Sequence, residues 1–404
     1  MLFRSWTING TVTFADNTAA KQGGVFCSER PSSDKAHPAP TVNITGASFN
    51  NNKANGGEAG AIIFYGGDWT LSGCSLVGNS ATSNGGAIYS NTGKLSVRNT
   101  LFSGNSTPTT GVGGGAIYVT TNSVIDIDGS EFIGNKAPNM NGGAINIAST
   151  AKGLHKINNS YFEGNGAIEA GALWTAAGGT LYLNGCSFYG NKPTKKNTGG
   201  VVKIASLSFI NNCSFVDNSG ADWESSLIIT GTTTLLNSTL IEKSSATLSA
   251  PMNTIRLYGA SAVGNIYNNV ILSASRSLAA AYGANPGSVE SKGYNYTGAW
   301  STQGDGSVTA SATTISTDNV VTPKDVFGSF AYPSSSAFHK YYTWTIPDGK
   351  SQTTLADMTT FLNGVEGGTA FVEWLGSVNG LSHDIAGNAR PATGVIYPGC
   401  YQKN

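Results

Sequence analysis

Apolar residues in this chain recur at fixed distances from an asparagine. An apolar side chain stands three positions before each Asn in Phe14…Asn17, Phe49…Asn52, Leu76…Asn79, Phe102…Asn105, Phe132…Asn135, Phe162…Asn165, Phe188…Asn191 and Phe215…Asn218. The Asn spacings are 35, 27, 26, 30, 30, 26 and 27 residues, with weaker copies at Leu240 and Ile271. The long first interval holds the Pro-rich "SERPSSDKAHPAP", which reads as a surface loop. Eight positions before the Asn lie Ile44, Leu71, Val97, Ile127, Ile157, Leu183 and Ile210; two further back lie Val42, Trp69, Leu95, Ile125, His155, Leu181 and Ser208. This is strand alternation with these side chains pointing inward. Five before the Asn the residue is small, as at Ala47, Cys74, Thr100, Ser130, Ser160, Cys186 and Cys213.

A third strand leaves a Gly-Gly-Ala-Ile corner, seen in "SNGGAIYS" (83–90), "GGGAIYVT" (113–120) and "NGGAINIA" (141–148). Each repeat thus predicts about three short strands with Gly and Asn turns between them. Such a repeat is too short for a βαβ unit, and no helical pattern separates the strands. The solution is a coil stacked on its neighbour, with parallel strands about 4.8 Å apart. Equivalent side chains then form vertical ladders, and the Asn ladder can bond from coil to coil. The predicted fold is all-β: a right-handed single-stranded parallel β-helix of about ten coils. Repeats are expected over 1–275, and final irregular coils with a C-terminal cap over 276–404. "TTLADMTTFLNG" (353–364) predicts a short helix within that cap, while "SLAAAYGANPGS" and "STQGDGSVTAS" read as loops.

"GGAI" paired with "F-x-x-N" resembles the repeats of polymorphic outer-membrane proteins, the surface-exposed autotransporters of chlamydiae, and more broadly the right-handed β-helix proteins of bacterial surfaces. The resemblance covers 1–275. It departs from that family in lacking a following membrane β-barrel pattern. The ending "HDIAGNARPATGVIYPGCYQ" resembles that of choice-of-anchor Q proteins: Asp384, Gly387, Arg390 and Pro391 fit its Asp-x-x-Gly-x-x-Arg-Pro, and "VIYPGCYQ" fits the rest poorly. The resemblance implies a cap on an extracellular β-helix, and an exposed sheet edge needs one. No cap is evident at the N-terminus, so an upstream domain or a neighbouring chain is the expected partner there.

Charged residues form only 11% of the chain and the formal net charge is zero. Neither a nucleic-acid footprint nor an anionic-membrane footprint is expected. No apolar run is long enough to span a bilayer as a helix. "MLFRSWTING" has no signal-like apolar core and already reads as strand and turn. It predicts a processed start or a piece of a longer chain, located outside the cell or on its surface.

Chemistry is sparse. Asp126 and Asp128 are the close acidic pair, both outward, as a hydrolase or Ca²⁺ site would need. Lys156 falls beside Asp126 one coil on, and Arg98 beside Asp128 one coil back, which favours ordinary cross-strand pairing. His37, His339 and His383 have no obvious nucleophile partner, and His155 is inward. Of Cys27, Cys74, Cys186, Cys213 and Cys400, the middle three share one inward position. Cys186 and Cys213 lie on consecutive coils within disulfide range, but small buried thiols are the plainer reading. No spacing suggests zinc or any cofactor.

The outward residues of the Gly-Gly-Ala-Ile strand stand out: Ile63, Tyr89, Tyr118, Asn146, Trp174 and Lys203. Aromatic faces suit sugar C–H groups. Tyr89, Tyr118, Asn146, Trp174 and Lys203 are therefore the candidate site for an extended glycan or a surface protein. The opposing expectation is that turns cover the strip or that the rings merely stabilise one another. Binding or adhesion is the leading expectation. A polysaccharide lyase or glycoside hydrolase is an alternative, although the polygalacturonase-type motifs are missing. A structural subunit of an extracellular assembly is the third.

Overall fold

The computed structural model describes residues 5–28, 39–107, 111–194, 199–218, 225–242, 254–273, 279–282, 287–297, 311–313, 319–320, 352–396 and 399. His37, His339, Cys400 and most of the Pro-rich insertion lie outside the described residues, as does most of "STQGDGSVTAS". The chain forms two compact units. The first is Met1–Leu181 with Asn191–Lys195 and Gly199–Lys203; the second is Tyr182–Gly190, Lys196–Thr198 and Ile204–Asn404. Each is a parallel β-solenoid of stacked coils.

In the first unit every coil repeats the same strands in register. Ser5–Asn9 pairs with Thr41–Thr45, which pairs with Asp68–Ser72, all parallel. The ring stack follows the same rule. Phe14, Phe49, Leu76, Phe102, Phe132 and Phe162 are register partners in turn. Phe102–Phe132 and Phe132–Phe162 centroids are both 4.8 Å apart, with interplanar angles of 3° and 6°. That spacing is the strand separation itself, so stacking geometry and backbone pairing agree.

The asparagines close the corners. Asn105 Nδ2 donates to Asn135 Oδ1 at 3.0 Å and to Leu76 O of the coil behind at 2.8 Å, while its backbone N–H also donates to Asn135 Oδ1 at 3.0 Å. The pattern repeats at Asn52, Asn79 and Asn135. These amides are fully buried, and hydrogen bonding at both ends removes the penalty that burial would otherwise carry.

The small residues form a second ladder. Thr100 N donates to Ser130 Oγ at 3.2 Å, and Ser130 N donates to Ser160 Oγ at 3.2 Å. Each hydroxyl donates in turn to the carbonyl two residues before it: Thr100 to Arg98 O at 2.9 Å, Ser160 to Asn158 O at 2.7 Å. The residue between is left-handed, as at Asn99 and Gly129, which only Asn and Gly adopt readily.

The paired glycines have two separate causes. Gly85 sits at φ +64°, and a Cβ on Gly86 would collide with the Gly115 carbonyl oxygen of the next coil. One glycine supplies the turn; the other lets adjacent coils touch.

In the second unit the stack runs through Phe188, Phe215, Leu240, Ile271, Thr297 and Val320. From Leu240 on no Asn follows the stack residue by three, and amides stand in the small-residue ladder instead: Ser238 N donates to Asn269 Oδ1 at 2.9 Å, and Asn269 N to Asn295 Oδ1 at 3.0 Å. "SLAAAYGANPGS" contains a strand rather than only loop. Ala279–Tyr282 pairs in parallel with Ile255–Tyr258, because rung pairing outweighs the low strand propensity of alanine.

The expected helix is present at Leu355–Asn363, started by a Thr354–Asp357 capping box. A second helix, Gly368–Ser377, was not foreseen. Both lie against the outside of the coils. Phe371 stacks on Phe209 at 4.9 Å, Trp374 meets Tyr182 at 5.3 Å, and Phe361 stacks on Tyr267 at 4.7 Å. The Asp384 carboxylate gathers Ala386 N and Asn388 N, Gly387 turns at φ +83°, and Arg390 donates to Asn212 Oδ1 at 2.7 Å. The described part of the C-terminal segment therefore fastens to the flank of several successive coils.

Replacing Asn135 by Ala should strand the amide groups of Asn105 and the Phe102 carbonyl. We expect a loss of at least about 3 kcal/mol in denaturant unfolding. Outward Asn43→Ala should stay within about 0.5 kcal/mol.

Candidate functional site

The outward residues of the Gly-Gly-Ala-Ile strand do form one column. Cys27, Ile63, Tyr89, Tyr118, Asn146 and Trp174 are successive register partners, and the Lys203 ammonium lies 4.5 Å over the Trp174 ring. Much of the column is covered: Ile63 is 0% exposed, Asn146 1% and Tyr118 7%. Corner backbone supplies part of that cover. Asn146 Nδ2 donates to Val112 O at 2.7 Å and to Asn141 O at 3.2 Å, so both its protons are used. Asn84 Oδ1 holds the Val112 N–H at 2.6 Å from the other side. Asn146 is a clamp on the corner that ends at Val112, not a free reader of hydroxyls.

Lys203 is also engaged. Its ammonium meets Glu169 Oε2 at 2.6 Å, and both side chains are nearly buried. Lys203 and Glu169 thus form an ion pair capped by the aromatic face of Trp174.

What remains partly open is a tyrosine group. Tyr65 and Tyr89 ring centroids are 6.1 Å apart, and Tyr89 and Tyr118 are 5.4 Å apart. Tyr65 and Tyr89 are half-buried. The Asn91 side chain lies close to the Tyr89 hydroxyl, and the Thr120 side chain close to that of Tyr118. Burial pushes the Tyr89 phenol up to about 12, and the Tyr118 phenol is raised for the same reason. Both stay neutral donors at physiological pH.

Tyr65 and Asn91 belong to the second outward column of the same strand, two residues beyond Ile63 and Tyr89. Strand parity alone could have found them. Glu169 comes from another corner of the coil, and no spacing in the sequence points to it.

The acidic pair is divided. Asp126 Oδ1 meets Arg98 at 2.9 Å and Oδ2 meets Lys94 at 3.1 Å. Asp128 accepts instead from Asn158 Nδ2 at 2.8 Å. Register puts Arg98 beside Asp128 and Lys156 beside Asp126, but the long Arg98 side chain reaches diagonally. With both Asp126 oxygens engaged, the pair has the form of a charge ladder. Among the described residues no three His, Cys, Asp or Glu are grouped to hold a metal ion.

Cys186 and Cys213 are free thiols, donating to Asn184 O at 3.3 Å and Asn211 O at 3.2 Å. They act as the hydroxyls of their ladder do. His155 is buried, with Nδ1 accepting from Ile125 N at 3.4 Å and Nε2 donating to Ala151 O at 2.9 Å. Burial lowers its pKa.

Three stretches, residues 11–29, 73–91 and 99–120, match the family model of the Chlamydia polymorphic membrane protein repeat. They span the coil corners from Phe14, Leu76 and Phe102 to the glycine corner that follows each. No curated protein and no solved structure matches the chain. No described helix is long and apolar enough to cross a membrane.

Because the folded imidazole resists protonation, the unfolded chain takes up that proton first. The His155 contribution is therefore fully present above the ordinary histidine value of about 6.5 and falls as pH drops below it. His155→Gln, which keeps an acceptor for Ile125 N–H, should flatten the loss of stability between about pH 6.5 and 5 in urea titrations. An unchanged slope would contradict the assignment.

Proposed function

We propose that the chain is a right-handed β-solenoid displayed on a bacterial surface, acting by binding rather than by catalysis. Its target is a glycan or a surface protein. The repeat matches support the surface reading, and the choice-of-anchor Q-like ending belongs to the same picture. The chemistry of the described side chains supports binding: Asp126 is neutralised by Lys94 and Arg98, His155 is locked between backbone groups, and Lys203 is spent on Glu169.

One observation carries the reading. Outward aromatics in the second unit, Tyr182, Phe209 and Tyr267, are covered by the C-terminal helices. Tyr65 and Tyr89 in the first unit are outward aromatics left half-open, on adjacent coils with ring centroids 6.1 Å apart, and Asn91 is the register partner of Tyr65. Aromatic faces beside amide groups suit a sugar ring or an aromatic-bearing segment.

Tyr65→Ala with Tyr89→Ala should weaken binding on a glycan array or to a captured surface ligand at least about tenfold, as loss of two stacking faces implies. The fold should persist by circular dichroism, because neither ring is part of the inward stack. Undiminished binding by a folded variant would refute the proposed surface.

A further inference from the structure

The corner strands of the first unit carry a second column that the aromatic strip does not use. In register from coil to coil it reads Thr18, Lys53, Ser80, Ser106, Lys136, Gly166 and Lys192. The next residue in each strand, Ala54, Ala81, Ala137 and Ala167, is buried. Alternation therefore turns the column outward. Lys53, Lys136 and Lys192 are exposed.

Lys94 and Lys203 have carboxylate partners within 4 Å. Among the described residues Lys53, Lys136 and Lys192 have no ion pair or side-chain hydrogen bond, as is true also of Lys21, Lys152 and Lys156; what sets the three apart is that they share one straight column. The positions between them hold only Ser80, Ser106 and Gly166, so nothing bulky interrupts the strip. Glu163 lies on the Gly166 coil, where the strip has no lysine, and it accepts the Tyr161 hydroxyl at 3.0 Å. From Lys53 to Lys136 is three rungs and from Lys136 to Lys192 two. At the parallel-strand spacing the strip is about 24 Å long.

We infer that this lysine column is a docking strip for an extended anionic polysaccharide lying parallel to the stacking axis, its carboxylate or sulfate groups meeting Lys53, Lys136 and Lys192 in turn. Charge complementarity and straightness favour this occupant: a rigid row of like charges with no internal partner attracts a linear polyanion and aligns it. The overall neutrality of the chain conceals the strip, because the column itself holds no acid. The inference does not depend on the tyrosine group, so either site can fail without the other.

Gly166 offers a gain-of-function test. Its backbone is not left-handed, and a Cβ there would meet only Lys192 O at an ordinary 3.6 Å. A lysine can therefore be added to the row.

The full chain should be titrated with dextran sulfate, polygalacturonate and neutral dextran, at low and high ionic strength. Binding to the two anionic polymers should be salt-sensitive, and neutral dextran should not bind at this strip. Lys53→Gln, Lys136→Gln and Lys192→Gln combined should weaken it at least about tenfold, while Gly166→Lys strengthens it about threefold. Lys152→Gln, an exposed lysine off the strip, should change nothing. If the triple variant misfolds, the Gly166→Lys arm decides alone. Full binding by a folded triple variant, no gain from Gly166→Lys, an equal loss from Lys152→Gln, or retention only on phosphatidylserine vesicles would each overturn the inference.

Discussion

A side-chain amide buried between two coils must bond both ways along the stack, and the rest of this structure follows from that requirement. Asn105 shows it in full: its protons go to the coil ahead and the coil behind, and its oxygen has the mirror role. A coil shifted by one residue would break three or four such bonds at once and turn the inward residues out. Register is thereby held by buried polar groups, while the phenylalanine stack supplies the apolar burial. The glycine corners then become obligatory, because coils in this register bring the Gly86 position against a neighbouring carbonyl.

With the interior committed to ladders, specificity is left to the outward positions, and their chemistry tracks what covers them. Under the helices of the second unit they are Tyr182, Phe209 and Tyr267. On the corresponding strands of the first unit they are Thr70, Ser96, Asp126 and Lys156, register partners in turn. Outward aromatics are thus a sign of something packed above them. Over Tyr118 and Asn146 that cover comes from within the unit. Over Tyr65 and Tyr89 it is incomplete, which is why those two rings are the natural place for an external partner.

Much of the fold was legible in the sequence because a stacked coil writes its register directly into residue spacing. Parity separated inward from outward side chains, the repeat spacing marked the Gly-Gly-Ala-Ile corner and the Asn ladder, and the helix near 355 was marked by its own start and stop residues. The path beyond Ile271 was harder to read because the ladder continues with Asn at a different corner, so the period survives in space but not as a motif. The site was less legible. Spacing correctly aligned Tyr89, Tyr118, Asn146, Trp174 and Lys203, but it carries no information on what folds over them. Asn146 is lost to Val112, and Lys203 to a glutamate from elsewhere in the coil. Spacing likewise allowed Cys186 and Cys213 to bond, yet each thiol is satisfied by a carbonyl two residues away. The lysine column was present in the residue numbers too, at one position after each ladder Asn, hidden by a net charge of zero.

In-register stacking of the coils is tested most directly by cross-linking outward positions. Thr70 and Ser96 are register partners on adjacent coils, and Asp126 is one coil further. Neighbouring rungs are within disulfide reach and rungs two apart are not. In a background with Cys27 and Cys400 changed to Ser, Thr70→Cys with Ser96→Cys should oxidise to a disulfide readily, seen as two lost thiols by mass spectrometry. Thr70→Cys with Asp126→Cys should remain reduced under the same conditions. A disulfide in the second pair, or none in the first, would contradict the stacked register and everything built on it.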